Sequence, residues 1–357
     1  VRAHWSLCYW ALETHIATFG AAGNVIRDAT SCAVIQVKPG IGDVIWHLPF
    51  IRAIAAAAPG GRVAFLAPPT SQARELLAAE PGVAEVIYFE HAGSELRRGL
   101  NLVRLARLLR RRRFAAIWIL DRTTRPAFAA RLAGIPERIG LGLGAQRFFI
   151  TNAGVDHSHF HDHPIDWLRA LMAAMNLPLL STEPDLKLPD ATLLAMSERF
   201  KAAARPWIVL GIGASHPDKD WPDTHWAAFV ASLRRRIGGT VFLIGGNANL
   251  TRAQSFVDAS AGADAVNACA LDLIEAAALV RLADLFVGPS SGPLNLAAAG
   301  GTDVFGLFGS TPVLSYSKFI HPIEPPDGQS PDGMWRILPA RVLATIEPYL
   351  SQQKLRP

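Results

Sequence analysis

Apolar residues in this chain fall in short unbroken runs, separated by longer stretches in which apolar positions recur three and four residues apart. The runs Ala33 to Val37, Arg62 to Leu66, Glu85 to Phe89 and Ala115 to Leu120 predict buried strands. Helices are predicted near 43–58, 71–80, 96–112 and 123–133, between or after those runs. A Pro-bearing stretch, Asn176 to Pro189, breaks the rhythm, which restarts at Trp207. Strands then follow at Trp207 to Gly211, Thr240 to Ile244, Leu285 to Val287 and Val304 to Phe308, with helices near 223–236, 250–261, 272–282 and 292–299. A last helix, about 338–351, comes after the Pro-rich segment Pro322 to Pro331. Strands alternating with helices are the signature of a parallel sheet with crossover helices.

Two α/β halves result. The expected division is an N-terminal extension over 1–31, a Rossmann-like domain over 32–175, a linker over 176–206, a second Rossmann-like domain over 207–335, and a C-terminal helix within 336–357 that packs back on the first domain. A length of 357 residues suits two such domains. The extension carries the apolar stretch Trp5 to Phe19, interrupted by Glu13 and His15 and framed by neither a charged leader nor a small-residue cleavage site. Twin domains of this kind receive a ligand in the cleft between them, at the carboxyl ends of the strands.

Composition narrows the class further. Half the residues are hydrophobic and 18% are charged, which excludes a disordered chain. No apolar run reaches the roughly 18 to 20 residues that a membrane span needs. Thirty-five basic against thirty acidic residues give a formal charge of +5, too diffuse for a nucleic-acid binder. The arginines are nonetheless concentrated: Arg97, Arg98, Arg104, Arg107 and Arg110 to Arg113 lie within seventeen positions, interleaved with leucines as in one amphipathic helix. Two readings of Arg97 to Arg113 stand, a solvated face with cations at the favourable helix end and a surface for anionic lipid or a phosphorylated acceptor. Cys8, Cys32 and Cys269 form neither a disulfide framework nor a metal pattern, which fits a reducing cytoplasm.

The chemistry-bearing residues lie in loops after strands. Lys38-Pro39-Gly40-Ile41-Gly42-Asp43 follows the first strand, with glycines where backbone must approach a ligand closely. Nicotinamide binding is excluded because Ile45 replaces the third glycine of the dinucleotide motif and the second strand ends Leu66-Ala67-Pro68 with no acid for a ribose. Asp43 is either an N-cap for the next helix or a general base that takes a proton from an acceptor hydroxyl. In the second half, Gly211-Ile212-Gly213-Ala214-Ser215 leads to Lys219-Asp220-Trp221-Pro222. A lysine there is either a solvated loop residue or the cation that neutralises a departing diphosphate. Ser290-Ser291-Gly292-Pro293 precedes an Ala-rich helix, where the hydroxyls either cap the helix or join its free N–H groups on phosphate oxygens.

Together these loops resemble glycosyltransferase family 9, the family of the lipopolysaccharide heptosyltransferases, over roughly residues 33–350. The family's G-D pair with a following proline is matched by Gly42-Asp43 and Pro49, its K-x-W-P by Lys219 to Pro222, its T-G-P-x-H-L-A-A-A by Ser291 to Ala299, and its L-F-G-x-T-P by Leu307 to Pro312. The resemblance implies the GT-B architecture, Asp43 as the base, Lys219 on the leaving diphosphate, and a nucleotide-sugar site drawn from Gly40, Gly42, Gly213, Ser215, Gly245, Gly246, Asn249, Ser290, Ser291, Gly292 and Pro293. It further implies metal-independent transfer with inversion, with ADP-heptose the leading donor and a cell-envelope glycolipid or polysaccharide the acceptor. Three positions depart from the family: Ser290 stands for an aspartate, Asn295 for a histidine, and Gly245-Gly246-Asn247-Ala248-Asn249 for G-G-P-x-E. Neutral side chains thus replace two carboxylates around the donor, changing charge and hydrogen-bond polarity.

His157, His159, His161 and His163 with Asp156 and Asp162 invite a zinc reading, but alternate residues share a face only on a strand. A solvated or acceptor-facing loop is expected, with helix capping by Asp162 or His163 the remaining possibility. Gly140 to Gly144 is expected to be a turn-rich connection. Two rivals to transfer remain, a non-catalytic nucleotide-sugar-binding scaffold and a sugar-nucleotide epimerase on the same twin fold.

Overall fold

The computed structural model describes residues 31–90, 94–156, 158, 161–214, 216–259 and 264–353. Residues 1–30 of the expected extension, with Cys8, lie outside the described residues, as do His157, His159 and Ser215. The described residues form two compact units, one of those up to Pro39 with Phe50–Pro69 and Pro81–Leu180, the other of Gly40–Pro49 with Thr70–Glu80 and those from Ser181 onward.

Helix α1 (Ile41–Ala57) contributes its residues from Phe50 onward to the first unit. The sheet of that unit is wholly parallel, in the order β3-β2-β1-β4-β5, with β1 Cys32–Ile35, β2 Val63–Ala67, β3 Val83–Tyr88, β4 Ala116–Ile119 and β5 Glu137–Gly140. Ala33 sits opposite Ala64 on one side and Ile117 on the other. This is a doubly wound order, with the change of direction at β1 and β4. Every residue of β1, β2 and β4 is buried, which is why these strands read as unbroken apolar runs instead of alternating ones. Helices α2 (Glu95–Arg112), α3 (Thr124–Ala133) and α4 (Pro164–Ala174) belong to this unit. α3 stops where Gly134 takes a left-handed φ of 78° and its N–H turns back to Ala130 and Arg131.

The second unit carries a six-stranded parallel sheet in the order β11-β10-β9-β6-β7-β8. Its strands are β6 Trp207–Gly211, β7 Thr240–Ile244, β8 Ala265–Asn267, β9 Leu285–Pro289, β10 Val304–Leu307 and β11 Ile320–Ile323. Its longer helices are α5 (Asp190–Arg199), α6 (Asp223–Arg236), α7 (Leu250–Ala259), α8 (Leu273–Leu282), α9 (Gly292–Gly300) and α10 (Pro339–Gln353). A capping box starts α8: Asp272 Oδ1 accepts from Ile274 and Glu275 N–H, and Glu275 Oε2 accepts from Asp272 N–H. Trp221, Trp226 and Phe229 are fully buried in the core, and the Trp221 indole donates to the Ile337 carbonyl at 2.8 Å.

Several expectations change. The last helix, expected on the first half, packs on α6 and sends Val342, Leu343, Ile346 and Leu350 into the core of the second unit. Inside the expected linker 176–206, α5 forms and packs on α8. The helix expected over 71–80 shortens to one turn, Ala73–Leu76, and starts only after Gln72, which adopts a left-handed φ of 50°. Gly140 ends a strand, whereas Gly142 and Gly144, with φ of 72° and 62°, make the expected turns.

Both described cysteines are buried, and burial pushes their thiols up, Cys32 to about 12 and Cys269 to about 11. Neither is an available thiolate near neutral pH. A maleimide pulse on the native protein at pH 7 is therefore expected to leave both unlabelled by mass spectrometry, and to label both once denaturant is added. Rapid native labelling at either site would contradict the packing described for its strand or loop.

Candidate functional site

Within the second unit, the start of α1 rests on the start of α9. The helix begins at Ile41, so Asp43 occupies its first turn and is not its N-cap. Its carboxylate folds over Gly40, where a Cβ would lie 2.8 Å from Asp43 Oδ2. A Cβ on Gly42 would meet Asn295 Nδ2 at 2.4 Å, and one on Gly292 would meet Ile41 at 3.7 Å. Glycine is required at 42 by this close approach, not by its backbone angles.

Asn295 ties the two helix starts together. Its Oδ1 accepts from the Trp46 indole at 2.9 Å, and its Nδ2 donates to the Ser291 carbonyl at 3.0 Å. The side chain is buried and both ends of its amide are used. Ser291 is at the N-cap position of α9, yet its hydroxyl makes no capping bond; Ser291 Oγ is buried, 8% exposed for the residue, with no hydrogen-bond partner among the described residues. Ser290 stands partly buried beside it. Pro293, in the first turn of α9, reaches the end of β6: a Cβ on Gly211 would lie 3.4 Å from Pro293 Cβ.

A second group of expected residues meets at the carboxyl ends of β6 and β7. A Cβ on Gly213 would lie 2.8 Å from Asn249 Nδ2, and one on Gly245 would lie 3.0 Å from Asn249 Cβ. Asn249 Nδ2 donates to the Gly245 carbonyl at 2.6 Å. Gly246, with φ of 72°, turns the chain so that Asn249 N–H can reach its carbonyl. Asn249 therefore braces its own loop.

Lys219 closes a 3-10 turn, Pro217–Lys219, on the loop between β6 and α6. It is half-exposed, and no acceptor among the described residues takes a hydrogen bond from its ammonium group. That loop is fastened by Arg252 of α7. Arg252 Nη1 donates to Asp220 Oδ2 at 2.7 Å and to the Ile212 carbonyl at 2.6 Å, Nε donates to Asp223 Oδ1 at 2.8 Å, and Nη2 donates to the Trp221 carbonyl at 3.2 Å. Burial pushes the Asp220 carboxyl above its ordinary range, and the guanidinium pulls it partly back. The sequence reading missed Arg252. The only available signal was an arginine near the start of a helix after a glycine pair.

The first unit holds a polar loop that the sequence reading also missed, Asp121-Arg122-Thr123-Thr124-Arg125, directly after β4. Asp121 is buried, and its carboxylate accepts from Val37 N–H at 3.1 Å, from Thr123 N–H at 2.8 Å, and from the Thr123 hydroxyl. Burial raises its pKa above the carboxylate norm, while the Thr123 and Val37 bonds and the Lys38 charge act the other way. Asp121 thereby joins the loop after β1 to the loop after β4. Beside it opens a cavity of about 430 Å³ whose apolar wall includes Phe89, Leu102 and Leu105 and whose cations are Arg98, Arg122 and Arg125. A run of charged and hydroxyl residues after a four-residue apolar strand was the sequence signal for it.

Of the histidine group, His163 caps α4, its Nδ1 accepting from Ile165 N–H at 3.3 Å. Burial lowers its pKa. Among the described residues, no three His, Cys, Asp or Glu side chains converge as a metal site would require, and no helix is long and apolar enough to cross a membrane.

Comparison with known proteins adds the following. Residues 102–327 match the family model for glycosyltransferase family 9 (heptosyltransferase). No curated protein sequence matches the chain. Among solved structures, the chain is similar to the ADP-heptose lipopolysaccharide heptosyltransferase II of E. coli, at 23% identity and a TM-score of 0.72, over 91% of this chain and 99% of that one. A family 9 glycosyl transferase from Veillonella parvula matches at 18% identity and a TM-score of 0.74, over 91% and 98%. The E. coli heptosyltransferase WaaC with ADP-2-deoxy-2-fluoro heptose matches at 17% identity and a TM-score of 0.67, over 89% and 99%. At these identities the structures establish a shared fold, two parallel-sheet α/β domains of the GT-B type.

Proposed function

The chain belongs to glycosyltransferase family 9, the heptosyltransferase family, and we propose that it transfers a heptose from ADP-heptose to a cell-envelope glycolipid or polysaccharide, without a metal and with inversion at the anomeric carbon. The observation that carries this reading is the packing of the Gly40–Asp43 turn on the Ser291–Asn295 turn. It supports a site in which a carboxylate and the free N–H groups of a helix start serve one reaction. In that reaction Asp43 takes the proton of the acceptor hydroxyl as its oxygen attacks the anomeric carbon. The bond from that carbon to the diphosphate oxygen breaks, and ADP departs with the electron pair. Lys219, the N–H groups of Ser291 and Gly292, and the Ser290 and Ser291 hydroxyls stabilise the charge that grows on the diphosphate. Gly213, Gly245, Gly246 and Asn249 border the nucleoside.

WaaC with ADP-2-deoxy-2-fluoro heptose on the same fold supports the donor class. The cavity of about 430 Å³ in the first unit, where Arg98, Arg122, Arg125 and Glu90 meet an apolar wall, supports a polar acceptor that also carries apolar or planar groups. With a glycolipid acceptor, the reaction belongs in the cytoplasm, at the inner face of the cytoplasmic membrane.

One observation keeps a second reading in view. Asn295 spends both ends of its amide on internal bonds and Asn249 spends its Nδ2, so neither brings to the site the charge of a carboxylate or the ring of an imidazole. A scaffold that binds nucleotide-sugar without transfer is compatible with that loss. Thermal melting with ADP-, GDP-, UDP- and CMP-linked sugars, followed by product analysis with an envelope extract, separates the readings. ADP-heptose is expected to raise the melting temperature most, because ligand at about a hundred times Kd adds roughly 2.7 kcal/mol, and to yield an inverted glycoside. Tight binding without transfer under any condition would favour the scaffold, and isomerised donor formed without acceptor would favour an epimerase.

A further inference from the structure

Helix α2 shows two different faces. Leu105 and Leu109 enter the core of the first unit, and Arg98, Asn101, Leu102 and Leu105 line the cavity of about 430 Å³. The opposite face is exposed along its whole length. Its N-terminal half presents Leu96, Leu100 and Val103, which are 77%, 50% and 43% exposed. Their spacing of four and three residues sets them in one stripe. Its C-terminal half continues that stripe with Arg107, Arg110 and Arg111, all exposed. None of these three pairs with a carboxylate of the described residues, whereas Arg112, two turns after Leu105 on the other side of the helix, pairs with Glu85 at 2.9 Å.

A favourable interaction with the helix dipole accounts for cations in the last turn. It does not account for three large apolar side chains in water about two to four turns earlier on the same face. A single exposed leucine is unremarkable, but an apolar stripe that runs into unpaired arginines has the composition of a helix lying in a bilayer interface. The only acidic residue in α2 is Glu95, at its first position. Charge complementarity therefore selects an anionic surface, and the apolar stripe selects a lipid one over a soluble polyanion.

We propose that α2 seats its outer face on an anionic bilayer, with Leu96, Leu100 and Val103 entering the interface and Arg107, Arg110 and Arg111 on headgroup phosphates. The inner face of the same helix then borders the arginine-lined cavity, so a lipid-borne acceptor would reach that cavity without leaving the membrane surface. Docking itself does not depend on which sugar is transferred, or on transfer at all.

The test is sedimentation of the full chain with vesicles of phosphatidylcholine alone and of phosphatidylcholine with about 30% phosphatidylglycerol, at salt from about 0.05 to 0.5 M. Two triple variants accompany it, Leu96→Ser/Leu100→Ser/Val103→Ser and Arg107→Gln/Arg110→Gln/Arg111→Gln, each checked for an unchanged melting temperature. Anionic vesicles are expected to bind the unmodified chain, and salt to weaken that binding. The arginine variant should bind at least about tenfold more weakly, since each basic residue near such a surface adds roughly a fivefold factor. The apolar variant should lose a similar factor even at low salt. The proposal is overturned if the chain ignores anionic vesicles at low salt, if either variant binds as the unmodified chain does, or if heparin competes fully and the apolar variant is unaffected, which would mark a site for soluble polyanions. Because sedimentation needs no turnover, its failure would leave the glycosyl-transfer reading untouched.

Discussion

Asp43→Asn is expected to leave nucleotide binding nearly intact while turnover falls at least about a hundredfold, the range that a positioned general base supplies. The amide has the shape of the carboxylate, so the turn over Gly40 and the contact of Gly42 with Asn295 should persist. Stability should change by less than about 1 kcal/mol, the order of magnitude for exchanging a negative charge in the first turn of a helix, here α1, for a neutral side chain of the same shape. Single-turnover assays with saturating donor, read beside the ADP-induced melting shift, test both halves. Turnover within a few-fold of the unmodified enzyme would remove Asp43 from the role of base, whatever happened to binding.

The second large effect concerns Arg252→Ala. This guanidinium, with 19% of its side chain exposed, gathers two carboxylates and two carbonyls on the loop that carries Lys219. Removing it strands Asp220, which is already partly desolvated. A loss of roughly 2–3 kcal/mol is expected, below the full value for a buried pair because Asp223 is largely exposed. The loss should depend on pH with a definite sign. Burial already raises the Asp220 pKa above 3.8, and without Arg252 it rises further. The folded state then holds the proton more tightly than the unfolded one, so its stability is fully present below 3.8 and is lost as pH rises through the raised folded value. The variant should therefore come closest to the unmodified chain in mild acid and fall furthest behind at neutral pH. In turnover, kcat/KM should drop by about tenfold or more through misplacement of Lys219, with partial rescue in Arg252→Lys. A deficit in melting temperature that stays constant from pH 4 to pH 8 would contradict the Asp220 account.

How far the sequence can be read follows from where each element lies in its sheet. β1, β2, β3, β4, β6, β7, β9 and β10 were legible as apolar runs because all of them except the edge strand β3 are interior strands covered on both faces. β5, β8 and β11 were not. Each is an edge strand, paired on one side only, and carries polar or turn-forming residues: Glu137 and Arg138, Asn267, His321 and Pro322. Nothing in periodicity separates such segments from loop. The same limit applies to the candidate site. Glycines after strands pointed to Gly42, Gly213 and Gly245, since a turn leaving a parallel strand recurrently lacks room for a side chain, even where the neighbour it meets, Asn295 or Asn249, lies far along the chain. Arg252, Trp46 and Asp121 act through partners far along the chain, and no local pattern encodes such pairs. The assignment of Gly40–Pro49 and Thr70–Glu80 to the second unit is likewise a matter of long-range packing.

The bond from the Trp46 indole to Asn295, between positions 249 apart in the chain, bears on any attempt to alter donor choice. Restoring the histidine usual in the family at 295 would place a larger ring against Gly42 and break both bonds of the present amide. Residue 46 would have to be redesigned in the same step. Donor reprogramming here is consequently a two-site problem, and libraries that randomise the α9 turn alone will sample mostly misfolded loops.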